Sequence, residues 1–399
     1  MIRRPGLILA LLTGLNLLNY LDRMVISAVL PKIQEELELS NFVGGLLATV
    51  FLVGYFATSP IFGSLGDRVA RKWLITLGVL VWSLATCASG MAKTGLGLLA
   101  ARVVVGIGEA SYATLAPTII DDVTPPEKRG RSLAIFYSAT PIGAALGYLV
   151  GGFIEHRWGW RSAFFVAGGP GILLAFTCLL VAEPKRTLAT DKPNVWRDVR
   201  KLARFDLYRS GVLGYCAQTA AVGAFSYWAP KFLYTRYALP LATANLRFGL
   251  VIVIAGGLAT FVGGGLADRR RRAVGDERSH VRELLKICAT GSAIAAPFAA
   301  GAFLSPAPSM FFVLVFISVF ALFLGQSPIN GVFLASVPVH LRASAMALSI
   351  FSIHAFGDLW SPPLIGLIAD HAPIQLAMMS LPVFIALSAV LWWPRRAPA

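Results

Sequence analysis

The chain reads as an all-α membrane protein, with twelve transmembrane helices in two pseudo-symmetric bundles of six. Three observations predict it. Hydrophobic residues make up 56% of the 399 and charged residues only 14%, with a mean hydropathy of +0.70, where a soluble protein would be about one quarter charged. The apolar residues fall into runs, each near the roughly 20 helical residues that cross a hydrocarbon layer of about 30 Å. The basic loop after the second run also returns after the eighth, an internal copy of the kind transporters use for rocking.

Taken in order, the runs are 6–30, 42–65, 73–91, 95–120, 132–154 and 161–181, then 208–229, 243–266, 284–304, 309–336, 343–367 and 375–393. They organise the chain into an amino-terminal bundle at 1–183, a cytoplasmic linker at 184–207 and a carboxy-terminal bundle at 208–399. The first run exceeds signal-peptide length and leads into Asp22 and Arg23, so no cleavable signal is expected. The net charge is +15, but the cations sit in short loops between apolar runs. That makes them topology signals and argues against nucleic acid as a partner. With the amino terminus inside, most of the 35 Lys and Arg lie on the inner side and both termini are cytoplasmic. The reverse orientation would place Arg269, Arg270, Arg271 and Arg272 outside. The expected setting is a bacterial inner membrane, with the chain a monomer in the lipid bilayer. The linker carries Lys185, Arg186, Lys192, Arg197, Arg200 and Lys201. With Trp196 it is either an interfacial helix on the membrane surface or a solvated connection.

Several chemistries find no support. Cys87, Cys178, Cys216 and Cys288 fall inside apolar runs and read as small packing residues. The histidines, His156, His280, His340, His354 and His371, lack metal-ligand spacing, and no phosphate-cradling loop ends in Gly-Lys-Ser/Thr. No metal, cofactor, ATP coupling or enzymatic activity is expected.

Charge inside the spans is the informative signal. The stretch A-R-V-V-V-G-I-G-E-A-S-Y-A-T-L-A-P-T-I-I-D-D, 101–122, carries Arg102 and Glu109 on one helical face, about two turns apart. A charge at the bilayer centre costs about 2.5–3.5 kcal/mol on insertion scales, so this face looks into the bundle or a wet cavity. It is either a structural ion pair or a substrate and proton site.

The two halves are copies. G-S-L-G-D-R-V-A-R-K at 63–72 matches G-G-L-A-D-R-R-R-R at 264–272, and P-P-E-K-R-G-R-S-L-A after span four matches P-V-H-L-R-A-S-A-M-A after span ten. The Gly-x-Leu-x-Asp-Arg turn resembles the signature loop of the major facilitator superfamily, and the resemblance covers the whole chain. Gly63 would let helices two and eleven approach closely. Asp67 would face the positive amino end of another helix. Arg68, Arg71 and Lys72 would pair with Asp121 or Asp122, and Asp268 and Arg269 repeat the turn in the second half. In that family the cluster latches the inner gate.

Three further stretches narrow the resemblance. N-Y-L-D-R, 19–23, occurs in Spinster-like lipid transporters and in organic-anion symporters of the superfamily. G-E-A-S-Y-A-T-L-A-P with F-Y-S-A-T-P-I-G-A-A-L-G-Y, and H-A-F-G-D-L-W-S-P-P-L-I-G-L-I-A-D at 354–370, look specifically Spinster-like. The series Gly143, Gly147, Gly151 is ordinary small-residue helix packing and does not establish antiport.

The resemblance implies alternating access through a cavity lined by spans one, four, seven and ten. At 1.5 Å per residue, Asp22 and Arg102 lie about 12 and 10 Å from the outer ends of their spans, level with one another, and Glu109 lies two turns deeper. It also implies that Asp22 and Glu109 take part in proton coupling and that Arg102 recognises a head group. Asn19 and Tyr20, with Tyr112 and Tyr137, are candidate head-group contacts, although aromatic core packing is the more ordinary role for any one tyrosine. The second half offers Gln218, Tyr227, Trp228, Gln326 and Asn330 among apolar residues. One charged wall and one greasy wall suit an amphipathic solute, and the Spinster-like resemblance implies an anionic lipid such as a lysophospholipid, moved with protons. The alternative is a proton-coupled symporter of an organic anion such as a sugar acid. His354 and Asp358, at i and i+4, are either a second proton site or a structural pair.

Overall fold

The computed structural model describes residues 4–183 and 195–394. They are almost wholly helical: α1 (Pro5–Leu37), α2 (Asn41–Gly66), α3 (Arg71–Met91), α4 (Gly95–Val123), α5 (Arg129–Trp158), α6 (Trp160–Cys178), α7 (Val195–Leu202), α8 (Asp206–Tyr237), α9 (Leu241–Arg272), α10 (Glu277–Leu304), α11 (Pro308–Phe323), α12 (Gln326–Ala335), α13 (Arg342–Ile353), α14 (Ser361–His371), α15 (Ile374–Met378) and α16 (Ser380–Trp392). Each of the twelve apolar runs lands on one helix or on one interrupted pair. Among the described residues ten segments are long and apolar enough to cross a membrane. The remaining two runs are α8, whose ends are polar, and the interrupted segment 342–371. Several helices outlast their apolar runs, because Lys32, Glu35 and Glu36 prolong α1 and four arginines prolong α9. Hydropathy sees the hydrocarbon part of a helix and not its extension into water.

Two compact units emerge, Met1–Ala189 with Leu233–Gly249, and Thr190–Phe232 with Leu250–Ala399. In the first, α1 packs on α5, and α4 lies between α2 and α3, which also contacts α6. Glycines permit these contacts. A Cβ on Gly108 would sit 2.5 Å from the Trp82 nitrogen and 2.6 Å from the Gly78 carbonyl, and Gly106 is pressed equally against Phe51 of α2. Gly143, Gly147 and Gly151 make the same use of α1, at Leu17, Leu21 and Ala28. Membrane helices associate by such close packing, since hydrocarbon gives apolar side chains no reason to leave it. Between α5 and α6 the chain turns on Gly159, whose φ of 78° and ψ of 164° lie in a region essentially reserved for glycine. Residues 233–249 join this unit through Asn245, which donates to the Ala28 carbonyl at 3.0 Å, and Tyr234, which meets Glu35 and Lys32, both at 3.1 Å.

In the second unit α10 packs on α11 and α16, and a buried cluster including Leu202, Tyr208, Leu285, Phe333 and Trp392 ties α7 and α8 to α10, α12 and α16. The linker therefore contains a helix docked on this unit through Leu202. Lys185, Arg186 and Lys192, with the side chains of Trp196 and Arg197, lie outside the described residues. Two interruptions break the regularity. The tenth span stops at Leu324 and Gly325, where the Gly325 carbonyl accepts from Cys288 Sγ at 3.6 Å. The eleventh widens into a π turn at His354–Asp358 and restarts at Ser361, with Pro362 and Pro363 in the first turn. Those prolines lack the amide protons that would continue the helix. The Pro362 carbonyl accepts from the Trp228 indole at 2.9 Å.

Candidate functional site

The charged residues of the first unit assemble where α1 meets α2, α3 and α4. Asp22 and Arg23 are neighbours in sequence, so their side chains leave α1 about 100° apart and find different partners. Asp22 is fully buried, accepts from the Thr86 hydroxyl at 2.5 Å and lies 3.7 Å from Arg102 Nη1. Arg23 Nε donates to Glu109 Oε2 at 2.8 Å, and Glu109 is fully buried while the Arg23 side chain keeps 17% exposure. Arg102, two turns before Glu109, is 2% exposed. Depth places Asp22 and Arg102 together as the sequence anticipates. It does not foresee the partner of Glu109, which is Arg23.

Aromatic rings surround the guanidinium groups. Tyr20, one turn before Arg23, and Phe51 and Tyr55, one turn apart on α2, hold ring centroids 5.0, 4.7 and 5.5 Å from Arg23 Cζ, and Phe51 also lies 5.1 Å from Arg102 Cζ. A planar, weakly hydrated guanidinium suits such faces better than an ammonium does. The cluster sums to zero, two cations against two anions, which is how four charges remain buried at all. Its hydrogen bonding is incomplete: Asp22 Oδ1, Glu109 Oε1, Arg102 Nε and Nη1, and Asn19 Nδ2 are buried without hydrogen-bond partners. These atoms keep unused hydrogen-bonding capacity inside the cluster.

Other expected residues behave differently. Tyr112 is fully buried with its hydroxyl given to the Leu12 carbonyl and its ring edge-on to Trp82. It is a core residue, not a head-group donor. Trp228 is likewise fully buried, with its N–H committed to Pro362. Tyr137 is exposed, and Tyr20 lies beside the ion pairs. In the second unit Gln218 donates to the Leu322 carbonyl at 3.1 Å, Gln326 to the Tyr215 hydroxyl at 2.8 Å, and exposed Asn330 to the Gln326 carbonyl at 3.0 Å. Tyr227 is buried edge-on against Trp228. His354 Nδ1 lies 3.0 Å from both Asp358 oxygens inside the π turn, and Gly223 of α8 leaves room for Asp358.

At the ends of α2, α3 and α4, Arg71 pairs with Asp122 at 2.6 Å and with Glu183 at 3.3 Å, and donates to Thr118 at 3.0 Å. Glu183 also accepts the backbone N–H groups of Arg71 and Lys72 at 3.2 and 3.3 Å, capping the positive end of α3. Asp121 pairs instead with Arg129 at 3.3 Å, eight residues along its own chain. Asp67, Arg68, Asp268 and Arg269 are exposed. Within its own unit a Cβ on Gly63 would meet Thr114 in an ordinary contact at 3.8 Å, and the tight position of that unit is Gly66 against Leu115. Arg23, Thr86, Phe51, Tyr55 and Glu183 are the residues sequence reasoning missed. For Arg23 the signal was present, because it stands in N-Y-L-D-R as a second charge inside the span.

A sequence model described as the Major Facilitator Superfamily matches residues 12–357. Protein spinster of Drosophila melanogaster is 34% identical over 372 residues, covering 89% of this chain; the chain spans only 60% of the length of that relative. The probable sphingolipid transporter spinster homolog 2 of Arabidopsis thaliana is 31% identical over 98% of this chain and 86% of its own. Among solved structures, a bacterial homologue of the human lysosomal transporter Spinster, captured inward-facing and unoccupied, superposes with a TM-score of 0.85 at 22% identity over 98% of this chain and 96% of its own.

Proposed function

The chain belongs to the Major Facilitator Superfamily, and within it to the Spinster-like transporters, and from that premise we propose that it moves an amphipathic anionic lipid, such as a lysophospholipid, by proton-coupled alternating access. The reading rests on one observation, the Arg23–Glu109 pair in its aromatic surround. Arg23 is the more exposed of the two buried-site arginines, and its carboxylate partner can be neutralised. When Glu109 takes a proton the cluster carries one surplus positive charge, and Arg23 is released to a phosphate with its fork geometry intact. When Glu109 loses the proton it reclaims Arg23 and the phosphate is expelled. Arg102, held by Asp22 away from water, orients the site and keeps the surplus charge localised. Asp22, and His354 with Asp358, are further proton-carrying candidates, and Asn19 offers its unused amide to the head group.

The corresponding positions of the second unit are uncharged, which suits the lipid's apolar part. A small cavity of about 30 Å³ there is lined by apolar residues such as Phe225, Phe303, Val319 and Leu322, with Ser318 among them. The proposal further takes residues 1–183 and 208–399 as the two bundles, 184–207 as the linker, a monomeric carrier, and the cluster of Arg71, Asp122 and Glu183 as the inner gate, with the termini and basic loops placed by their charge on the cytoplasmic side of a bacterial inner membrane. The experiment is pH-gradient-driven uptake of a lysophospholipid into proteoliposomes, set beside head-group binding. Glu109→Gln should bind and fail to couple, and Arg23→Gln should lose binding by at least tenfold. Uptake of a sugar acid but not of the lipid would overturn the assignment in favour of an organic-anion symporter.

A further inference from the structure

The two copies of the loop after the fourth and tenth spans differ in a way that leaves the second unit with a vacancy. In the first unit Arg129 has Asp121 eight residues before it and Asp122 seven before it, and those carboxylates neutralise Arg129 at 3.3 Å and Arg71 at 2.6 Å. Aligned on P-P-E-K-R and P-V-H-L-R, Arg342 takes the place of Arg129, and the two acids become Leu334 and Ala335. The basic residues stay while the acids go. Between the ends of α9, α10, α12 and α13 there is instead a cavity of about 590 Å³, lined by Arg271, His280 and Arg342, with Leu334 and Ala335 where the carboxylates would stand.

Two nitrogens of its lining side chains are unspent. Arg342 Nε and His280 Nδ1 are both buried without a hydrogen-bond partner. Two acids also line the cavity and neither meets the need. Asp276 is engaged as the cap of α10, accepting from the Ser279 N–H at 2.9 Å. Glu277, with 68% of its side chain exposed, comes only to 3.8 Å from Arg342 Nη2, beyond hydrogen-bond reach. The surrounding segment, 268–286, holds seven basic residues against four acidic ones, so the local field favours an anion.

We propose that this cavity is a binding site for a phosphate monoester group, which takes the role that Asp121 and Asp122 fill in the first unit. A guanidinium and an imidazole around a space larger than the ion itself suit a phosphate that carries a substituent. The group can come from a membrane phospholipid or from a soluble phosphate ester, and the site stands apart from the Arg23–Glu109 cluster and from whatever that cluster carries.

The test titrates detergent-solubilised full-length protein with dioleoyl phosphatidic acid, read by native mass spectrometry, and in parallel with glycerol 3-phosphate, read by calorimetry, with dioleoyl phosphatidylcholine as the lipid control. The site predicts retention of one or both phosphate probes. Arg342→Gln should weaken it at least tenfold, and Ala335→Asp, which restores the internal acid, should weaken it comparably. Glu277→Gln removes the competing carboxylate and should tighten it several-fold. Binding that persists in Arg23→Gln belongs to this cavity and not to the transport site. Retention of phosphatidic acid alone assigns a lipid, and retention of glycerol 3-phosphate assigns a soluble ester. Absence of both, or binding that none of the three second-unit variants alters, overturns the proposal. Ala335→Asp and Glu277→Gln keep the test decisive even where Arg342→Gln does not fold.

Discussion

Arg102 and Asp22 illustrate how expensive a half-pair is. With 2% and no exposure respectively, neither reaches water if its partner is removed, and a buried charge left alone costs about 3–5 kcal/mol. Asp22→Asn should therefore lower thermal stability in detergent by a large margin, and Arg102→Gln likewise. The double variant should recover much of the loss, because no uncompensated charge remains; strictly additive losses would show that the two do not act as a pair. Arg23→Lys is informative in another way. It keeps the charge but loses the planar fork and the ring stacking, so stability should change little while head-group affinity falls. At this scale the sequence could rank residues by depth, and that was enough to join Asp22 to Arg102. It could not choose between Arg102 and Arg23 for Glu109. Only the rotation of α1 about its own axis, fixed by glycines packing on Leu17 and Leu21, turns Arg23 of α1 toward Glu109 of α4.

Among the elements, α4 bears Arg102 and Glu109 and is held on two sides by glycine contacts. Gly108→Ala would press a methyl against the Trp82 nitrogen and the Gly78 carbonyl, backbone atoms that cannot step aside. Overpacking of this kind costs about 1–3 kcal/mol and shifts neighbouring Glu109, so both melting temperature and uptake should fall. Gly63→Ala, with only Thr114 at 3.8 Å, should melt with the wild type. A melting temperature for Gly108→Ala equal to that of Gly63→Ala would show that α3 and α4 are not closely held. Helix number and order were legible from hydropathy alone. The breaks were not: Gly325 is an ordinary membrane-helix glycine in the sequence, and the π turn at His354–Asp358 leaves no trace in composition. Only Ser-Pro-Pro after it hinted at a restart. The pairing of Arg71 with Glu183 was equally hidden, because Glu183 lies where the last apolar run fades into a polar linker and looks solvated.

For the molecule as a whole, the testable quantity is topology. Cys178, Cys216 and Cys288 are buried and Cys87 is half-buried, so the native thiols give a quiet background for labelling. A cysteine placed at exposed Arg270 should react with an impermeant maleimide only after the inner face is opened, and one at exposed Trp158, at the far end of α5, should react from outside. The reverse pattern would invert the proposed orientation. Two copies of six spans were visible from end to end in the sequence, since repetition survives where individual contacts do not. The differences between the copies carry the chemistry: Glu109 against Gln326, and Asp121 with Asp122 against Leu334 with Ala335.

The exact cancellation of charge among Asp22, Arg23, Arg102 and Glu109 also has an electrical meaning. A membrane potential acts on each net elementary charge with about 2.3 kcal/mol per 100 mV, so a neutral cluster gives the voltage nothing to pull on. Loading one proton together with one singly charged anion keeps the sum at zero, and such a cycle runs at the same rate whatever the potential. A zwitterionic lipid carried with the same proton would make the loaded site positive and its entry voltage-driven. Uptake measured under potassium–valinomycin clamps would thus count the charge of the cargo without identifying it.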